Sequence, residues 1–156
     1  MLSTDAPADS LRSTHVRAMS PSSRHLLNLA TTRSALVRAL VGELERTDVV
    51  VLLMLSDEAA TETRRPFMRF LTAVADTRYV VIQMYWTPDP PVAHVPLLAH
   101  ELQHALELSG APDVRDQESY MRLLTKIGWE LGPRRFETHA ARATEERVRQ
   151  ELGPNP

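Results

Sequence analysis

The stretch that decides the fold is His100-Glu101-Leu102-Gln103-His104, in the second half of the chain. A mostly apolar, core-facing stripe at helical spacing surrounds it, made of Leu98, Leu102, Ala105, Leu106 and Ser109. This pattern predicts an amphipathic helix. On a helix, residues four positions apart lie about 6 Å from one another, so the two histidine rings can point at a common atom.

The residues before this helix predict one helix and a small sheet. Leucines and valines at three- and four-residue spacing indicate a first helix over residues 22–46. The β-branched run at 49–55 is apolar on both faces, as in a strand inside a covered sheet. After a polar loop at 56–66, apolar runs at 67–75 and 78–86 flank Asp76-Thr77, a spacing that favours an antiparallel hairpin.

Prolines mark the start of the central helix. Because proline cannot donate to a strand ladder and favours the first turn of a helix, this helix should begin between Pro91 and Pro96. It should end near Gly110, since glycine is a frequent helix stop. Two further helices are predicted, over about 116–127 and 133–152. The fold class is therefore α+β, with an N-terminal helix, about three strands including a hairpin, the central helix and two C-terminal helices.

Length and composition indicate one domain. The chain has 156 residues, of which 43% are hydrophobic, enough for a single core. Residues 1–21 mix polar residues and proline and are expected to be a disordered tail, which leaves 22–152 as the domain. The tail has no apolar centre typical of a secretory signal. A cytoplasmic location is expected, or an extracytoplasmic one if the start codon is misplaced.

Charge and residue usage exclude several classes of function. The net charge of −2, with basic residues spread along the chain, argues against nucleic-acid binding. The longest apolar run, 49–55, is far shorter than the roughly 20 residues that a membrane-spanning helix needs. With no cysteine, any metal has to be held by histidine and carboxylate groups.

The histidine pair and the glutamate between them have the spacing of a metal site. His100 and His104 can bind one Zn²⁺, and Glu101 can face the open coordination position, where it would take a proton from a zinc-bound water that attacks a carbonyl. The alternative interpretation is that the two histidines are ordinary surface or core residues. Tyr120 and His94 are candidates for stabilising the oxyanion, although a packed tyrosine and an exposed histidine are the more ordinary interpretation.

A catalytic zinc needs a third protein ligand, for which Glu137 and His139 are the candidates. In the predicted last helix, Glu137 falls on the apolar face and His139 points away from it. An isolated buried carboxylate is costly, so a metal ion would explain Glu137, which is the preferred ligand. A salt bridge from Glu137 to an arginine such as Arg78 is the alternative.

Two segments in combination carry a resemblance to a known class. Residues 96–107 read PLLAHELQHALE, and residues 135–141, which follow Ile127-Gly128, read RFETHAA. Over about residues 23–152 the chain resembles a group of uncharacterised bacterial proteins with gluzincin-like, zincin-fold metallopeptidase domains. The resemblance implies His100, His104 and Glu137 as zinc ligands and Glu101 as the base.

Three positions limit which zinc peptidases the chain can resemble. Metzincins would require glycine at 107 and histidine at 110, where the chain has Glu107 and Gly110, so that class is excluded. Many gluzincins carry an aspartate four residues after the ligand glutamate, where the chain has Ala141. Another group, such as a backbone carbonyl, would then have to orient the zinc histidines.

The sequence therefore predicts a zinc-dependent hydrolase, most simply a peptidase, that acts on a peptide or small amide substrate. Two other hypotheses remain open. In the first, zinc fastens the last helix to the central helix without catalysis, and the surface serves an interaction partner. In the second, the domain binds no metal and the motif is accidental.

Overall fold

Six strands and five α-helices are formed by residues 13–154, the part of the chain that the computed structural model describes. The strands are β1 (Val16–Ala18), β2 (Val49–Ala59), β3 (Phe67–Val74), β4 (Thr77–Trp86), β5 (Trp129–Gly132) and β6 (Arg135–Glu137). The helices are α1 (Pro21–Arg33), α2 (Ala35–Leu44), α3 (Val95–Ser109), α4 (Gln117–Ile127) and α5 (His139–Leu152). Within the described residues, no helix combines the length and the apolar character needed to cross a membrane.

Four strands form one mixed sheet in the order β1-β2-β4-β3. β1, β2 and β4 run parallel, and β3 pairs antiparallel with β4 as a hairpin. β2 lies between β1 and β4, and its successive residues Val50 and Val51, which point to opposite faces of the sheet, are both buried. The other two strands, β5 and β6, form a separate hairpin that leads into α5.

The helix α3 lies between the sheet and α5. Its residues Leu98, Leu102 and Leu108 are fully buried and belong to the same apolar cluster as Val51 and Ile82 of the sheet. Among the helix pairs, α3 packs most extensively against α5. The histidine-bearing flank of α3 is therefore held on one side by the main core and on the other by the last helix.

A buried arginine joins the sheet to the end of α3. Arg78 is 1% exposed, and its guanidinium donates to the Asp48 carboxylate at 2.6 and 2.8 Å. It also donates to the carbonyl oxygens of Leu108, Ala111 and Val114 at 2.7–3.1 Å. The last carbonyls of a helix have no partner within the helix, and Arg78 supplies one here. Arg78 is therefore committed to Asp48 and α3, not to Glu137.

Several predicted elements are confirmed. β3 and β4 form the expected hairpin, which turns at Ala75 and Asp76. A 3₁₀ turn, Pro91–His94, leads into α3, which ends at Ser109. The helix predicted for 116–127 is α4, whose N-cap is Asp116. The α+β class is confirmed as well.

The single helix predicted for 22–46 is wrong, because the chain forms two helices that meet at Ser34. The Ser34 side chain accepts a hydrogen bond from the Val37 backbone at 3.0 Å and so caps α2. Glu151 holds the same serine, accepting a hydrogen bond from its hydroxyl. Serine favours a cap over a helix interior, so local capping overrides the continuous apolar stripe.

The predicted tail and loop are partly wrong. Residues 1–12 lie outside the described part of the chain, but residues 13–21 form β1 and the start of α1. Val16 is 1% exposed against β2, and Glu45 accepts hydrogen bonds from Thr14 and from the His15 backbone. The loop expected at 56–66 is shorter, because β2 continues to Ala59.

The helix predicted for 133–152 begins only at His139. Before it, residues 129–137 form the β5–β6 hairpin. Arg134 has φ 58°, a left-handed conformation that no helix interior can hold. Thr138 then caps α5 by accepting a hydrogen bond from the Ala141 backbone. Glu137 therefore lies at the end of a strand and not on a helix face.

Candidate metal centre

The helix α3 brings the two histidine rings together on one flank. The ring centroids of His100 and His104 are 4.9 Å apart, and the ring planes meet at 76°. His104 is 5% exposed, and the side chain of His100 is 12% exposed. Two mostly buried imidazoles at this spacing can share one ion.

The third group comes from the β5–β6 hairpin. Glu137 ends β6, is 8% exposed, and places Oε1 at 3.4 Å from Nε2 of His100. One donor atom each from His100, His104 and Glu137 lies within 4.8 Å of the others, so the group could hold a metal ion. Ligands about 2.1 Å from a tetrahedral zinc ion lie about 3.4 Å apart, so small side-chain adjustments would close the set around zinc.

Gly128 allows Glu137 to come this close. It caps α4, and a Cβ atom at this position would lie 2.0 Å from the Glu137 carbonyl oxygen. Any side chain here would push β6 away from the end of α4. Gly132, in the same hairpin, has nothing within 4 Å of the corresponding position. The close approach at Gly128 therefore fixes where the Glu137 backbone lies relative to α4.

His100 is oriented by a carboxylate on α5. Its Nδ1 lies 2.9 Å from Oε2 of Glu145, and the other carboxylate oxygen, Oε1, accepts a hydrogen bond from Arg149. A proton on Nδ1 leaves Nε2 free to bind a metal, and such carboxylate partners fix ring orientation and raise ligand basicity. Glu145 lies one helical turn after Ala141, the position at which an orienting aspartate is absent. From there the longer glutamate side chain reaches the His100 ring.

His104 is oriented by a second carboxylate, on its own helix. Its Nδ1 lies 2.8 Å from Oε2 of Glu107. The other oxygen of Glu107 accepts a hydrogen bond from the Thr138 hydroxyl at 2.6 Å. The Thr138 backbone N–H in turn donates to Glu137 at 2.9 Å. One continuous set of hydrogen bonds thus ties the His104 ring to the segment that carries Glu137.

The charges of the site act on one another. Burial lowers the pKa of His100, but the Glu145 hydrogen bond and the charges of Glu101 and Glu137 outweigh it, and the pKa is raised. The hydrogen bond with His100 holds the pKa of Glu145 below its ordinary value, against the effect of burial. Each of the two pKa shifts favours the charged form of its own group.

Glu101 is the one carboxylate of this cluster without a fixed partner. It is 6% exposed, and within residues 13–154 no group donates a hydrogen bond to its carboxylate. Burial raises the pKa of Glu101, although the charges of His104 and His100 oppose the rise. A carboxyl group with a raised pKa is suited to accept and return a proton near neutral pH.

A groove of about 1250 Å³ runs over the site. Its lining includes the four site residues, together with Tyr120 of α4 and side chains from β3 and the β5–β6 hairpin. His94, the other candidate for the oxyanion, is not part of this lining and contacts Thr87 and Pro91 through its ring nitrogens. Of the two sequence candidates, only Tyr120 reaches the groove.

His139, the alternative third ligand, lies outside the cluster. It is exposed, and its ring packs on Trp129 with centroids 4.6 Å apart. The salt bridge from Glu137 to Arg78 is not formed. The nearest arginine to Glu137 is the exposed Arg142, at 3.9 Å. The structure thus brings His100, Glu101, His104 and Glu137 together and leaves His139 apart.

The two residues that hold the histidine rings, Glu107 and Glu145, were not identified from the sequence. Glu107 follows His104 by three positions, about one helical turn, so helical spacing alone could have predicted their contact. Glu145 lies in the predicted last helix, where nothing in the sequence distinguishes it from the neighbouring Glu146. A backbone carbonyl was considered for this role, but both histidines pair with carboxylates instead.

Comparisons of the chain with protein-family models, with curated proteins and with solved structures found no match. The resemblance to gluzincins therefore stays a prediction.

Proposed function

We propose that the protein is a zinc-dependent hydrolase, most simply a peptidase, that cleaves peptide or small amide bonds in the groove above α3. The observation that carries this proposal is the convergence of three donors beside an unpaired carboxylate. His100, His104 and Glu137 offer the ligand set of a catalytic zinc site with one open position. Glu101 lies in the wall of the same groove.

Each residue has a definite task in this proposal. His100 and His104 would bind zinc through Nε2, and Glu137 through a carboxylate oxygen. When bound, zinc supplies Lewis-acid polarisation of water and of the substrate carbonyl. The Glu101 carboxylate accepts a proton from the attacking water and passes it to the nitrogen of the departing amine. Glu145 and Glu107 hold the Nδ1 protons and so keep both Nε2 atoms pointing at the site.

Tyr120 is proposed to stabilise the negative charge that develops on the carbonyl oxygen. It lines the groove, and no hydrogen bond of its hydroxyl is formed within residues 13–154. Burial and the charges of Glu101 and Glu107 raise the pKa of Tyr120 well above its ordinary value. The hydroxyl therefore keeps its proton at neutral pH and can donate to an oxyanion.

The proposal is tested with untagged protein purified without added metal. We expect about one zinc per chain by elemental analysis. The Glu101→Gln variant should keep the zinc and lose peptide hydrolysis by at least about 100-fold, measured by mass spectrometry on a mixed peptide library. Glu146→Gln, on the exposed side of α5, is the matched control and should resemble the parent.

Two results would contradict the proposal. One is less than about a tenth of an equivalent of zinc, with no uptake on titration, because the ligand set predicts tight binding. The other is a Glu101→Gln variant as active as the parent, which would remove the assigned base.

A zinc-stapled interaction domain is the second candidate, and one observation favours it. The donors come from α3 and β6, and the bonds His100–Glu145 and Glu107–Thr138 already join α3 to α5 and its cap. A metal there would fasten the C-terminal segment to the core. A purely structural role for the metal does not explain why the buried Glu101 carboxylate has no partner among the described residues. Unchanged thermal stability after chelation would exclude the staple and leave the hydrolase standing.

A further inference from the structure

Four arginine side chains that belong to neither the candidate metal ligands nor their hydrogen-bond partners line the groove. They are Arg65, Arg69, Arg134 and Arg135. All four are exposed, and within residues 13–154 none of their side chains donates a hydrogen bond or forms an ion pair. Other arginines near the groove have acidic partners, since Arg122 binds Glu118 at 2.7 Å and Arg149 binds Glu145. The groove therefore carries cations that are available to a ligand.

These cations come from two separate elements. Arg65 lies just before β3, and Arg69 is near the start of that strand. Arg134 and Arg135 lie at the turn of the β5–β6 hairpin. The acidic residues outside the site that line the groove are Glu62 and Glu118, and Glu118 is already paired. Deeper in the groove, Glu145 is held by His100. The outer part of the groove therefore has an excess of positive charge, since four arginines face only Glu62 and the paired Glu118.

Arg134 occupies a backbone position that favours glycine. Its φ of 58° follows Pro133, and Gly132 pairs with Arg135 across the turn. Glycine or asparagine is the usual choice for a left-handed residue after a turn proline. An arginine here is therefore not explained by turn chemistry. A role for the Arg134 charge in binding a ligand at the mouth of the groove would explain why arginine occupies this position.

The groove also offers apolar contacts beside these charges. Phe67, Leu97, Leu131 and Phe136 belong to its lining. A ligand that matches it would be an extended chain with apolar and acidic side chains, not a uniformly charged polyanion, which the acidic floor and the net charge of −2 disfavour.

We propose that the groove selects peptides with Asp or Glu side chains near the bond to be cleaved, and that these four arginines determine this specificity. The cleavage part of the inference rests on the proposed function. The capture of acidic peptides does not, because it uses residues outside the metal site. Binding can therefore be measured separately from hydrolysis.

The test uses the full chain as the Glu101→Gln variant with zinc supplied. The probes are two fluorescein-labelled octapeptides that share apolar residues and differ only in carrying either Glu or Gln at the same three positions. Fluorescence anisotropy should show binding about tenfold tighter for the Glu peptide near 0.05 M salt, and a smaller preference near 0.5 M salt. Adding the charge reversals Arg69→Glu and Arg135→Glu should abolish the preference, whereas Arg24→Glu, on α1, should not.

Two further arms separate the possible causes. A chelator arm distinguishes arginine capture from coordination of the probe by zinc, and the preference should survive chelation. Equal binding of both peptides, or a preference that vanishes on chelation, would overturn the inference while leaving hydrolysis untouched. A single-stranded oligonucleotide that displaces the Glu peptide at lower concentration than the unlabelled peptide itself would overturn it as well. Retained acidic-peptide binding without any hydrolysis would instead count against the proposed function alone.

Discussion

His100 and Glu145, forty-five residues apart, are joined by a hydrogen bond of 2.9 Å between Nδ1 of the ring and a carboxylate oxygen. The bond joins α3 to α5, and with it the imidazole gains a fixed orientation. A ligand histidine usually donates its other ring nitrogen to such a partner. The pair therefore makes α5 part of the candidate metal centre although the helix contributes no ligand.

Replacing Glu145 should weaken metal binding without unfolding the protein. In Glu145→Gln the His100 ring loses its charged acceptor, so zinc affinity should fall about 10- to 100-fold. Competition with a chromophoric chelator measures this. Glu146→Gln, the neighbouring exposed residue, should leave the affinity unchanged. An affinity for Glu145→Gln equal to that of the parent would show that Glu145 does not orient a ligand.

Gly128 should be essential for the placement of Glu137. In Gly128→Ala the new methyl group would lie 2.0 Å from the Glu137 carbonyl oxygen, so β6 must shift and carry the ligand carboxylate with it. We expect at least about a tenfold loss of zinc affinity, because a displaced ligand breaks the coordination geometry.

Gly132→Ala is the matched control for that change, since it adds the same methyl group to the same hairpin with nothing within 4 Å. Both variants are measured by zinc titration, and circular dichroism checks that they fold. If the two variants bind zinc equally well, the packing of Gly128 on Glu137 does not position the ligand.

Tyr120 is expected to act on turnover more than on substrate binding. Removing its hydroxyl in Tyr120→Phe should lower kcat about 100-fold with little change in KM, because an oxyanion donor acts mainly in the transition state. Steady-state kinetics on a peptide identified from the library gives both constants. Tyr79→Phe, outside the groove, serves as the control. A rise in KM with unchanged kcat would make Tyr120 a binding residue instead.

The Asp48–Arg78 pair should make the free energy of unfolding depend on pH in the acidic range. Hydrogen bonds from Arg78 hold the pKa of Asp48 below its ordinary value of 3.8, so the ionised carboxylate stabilises the folded state. This contribution is present above about pH 3.8 and is lost as the pH falls through the lower folded-state pKa. Asp48→Asn should lower the free energy of unfolding by about 1–2 kcal/mol near pH 7, a modest cost because the Asp48 side chain is partly exposed. The cost should be smaller near pH 3, below the ordinary pKa of the carboxyl group.

Urea unfolding of the parent and of Asp48→Asn, with a chelator present, gives this difference at each pH. Glu45 and Glu151 also have lowered pKa values, but they are the same in both proteins and cancel in the difference. A difference that stays constant from about pH 7 to about pH 3 would contradict the assignment.

Much of the site could be predicted from the sequence because its signals are local. His100 and His104 share one helix, so helical spacing alone places their rings together. The β3–β4 hairpin could be predicted for the same reason, since two apolar runs flank a short polar turn. Glu137 was singled out as a carboxylate among apolar residues, and it does meet His100, although from a strand end.

The remaining features depend on contacts between distant segments. The β1 strand has only three residues, and it exists because Val16 packs on β2 and Glu45 binds the residues just before it. The break at Ser34 depends on capping and on Glu151, more than a hundred residues later. Glu145 resembles any exposed helical glutamate until α5 is placed against α3. Apolar periodicity does not encode such pairings.

The most direct test is diffraction at the zinc absorption edge from crystals grown with one equivalent of zinc per chain. We predict one strong anomalous peak with Nε2 of His100, Nε2 of His104 and a carboxylate oxygen of Glu137 about 2.0–2.2 Å away. Glu101 should lie beside the ion without binding it. The absence of a peak between these three side chains, or a peak held by other residues, would contradict the metal centre and the hydrolase built on it.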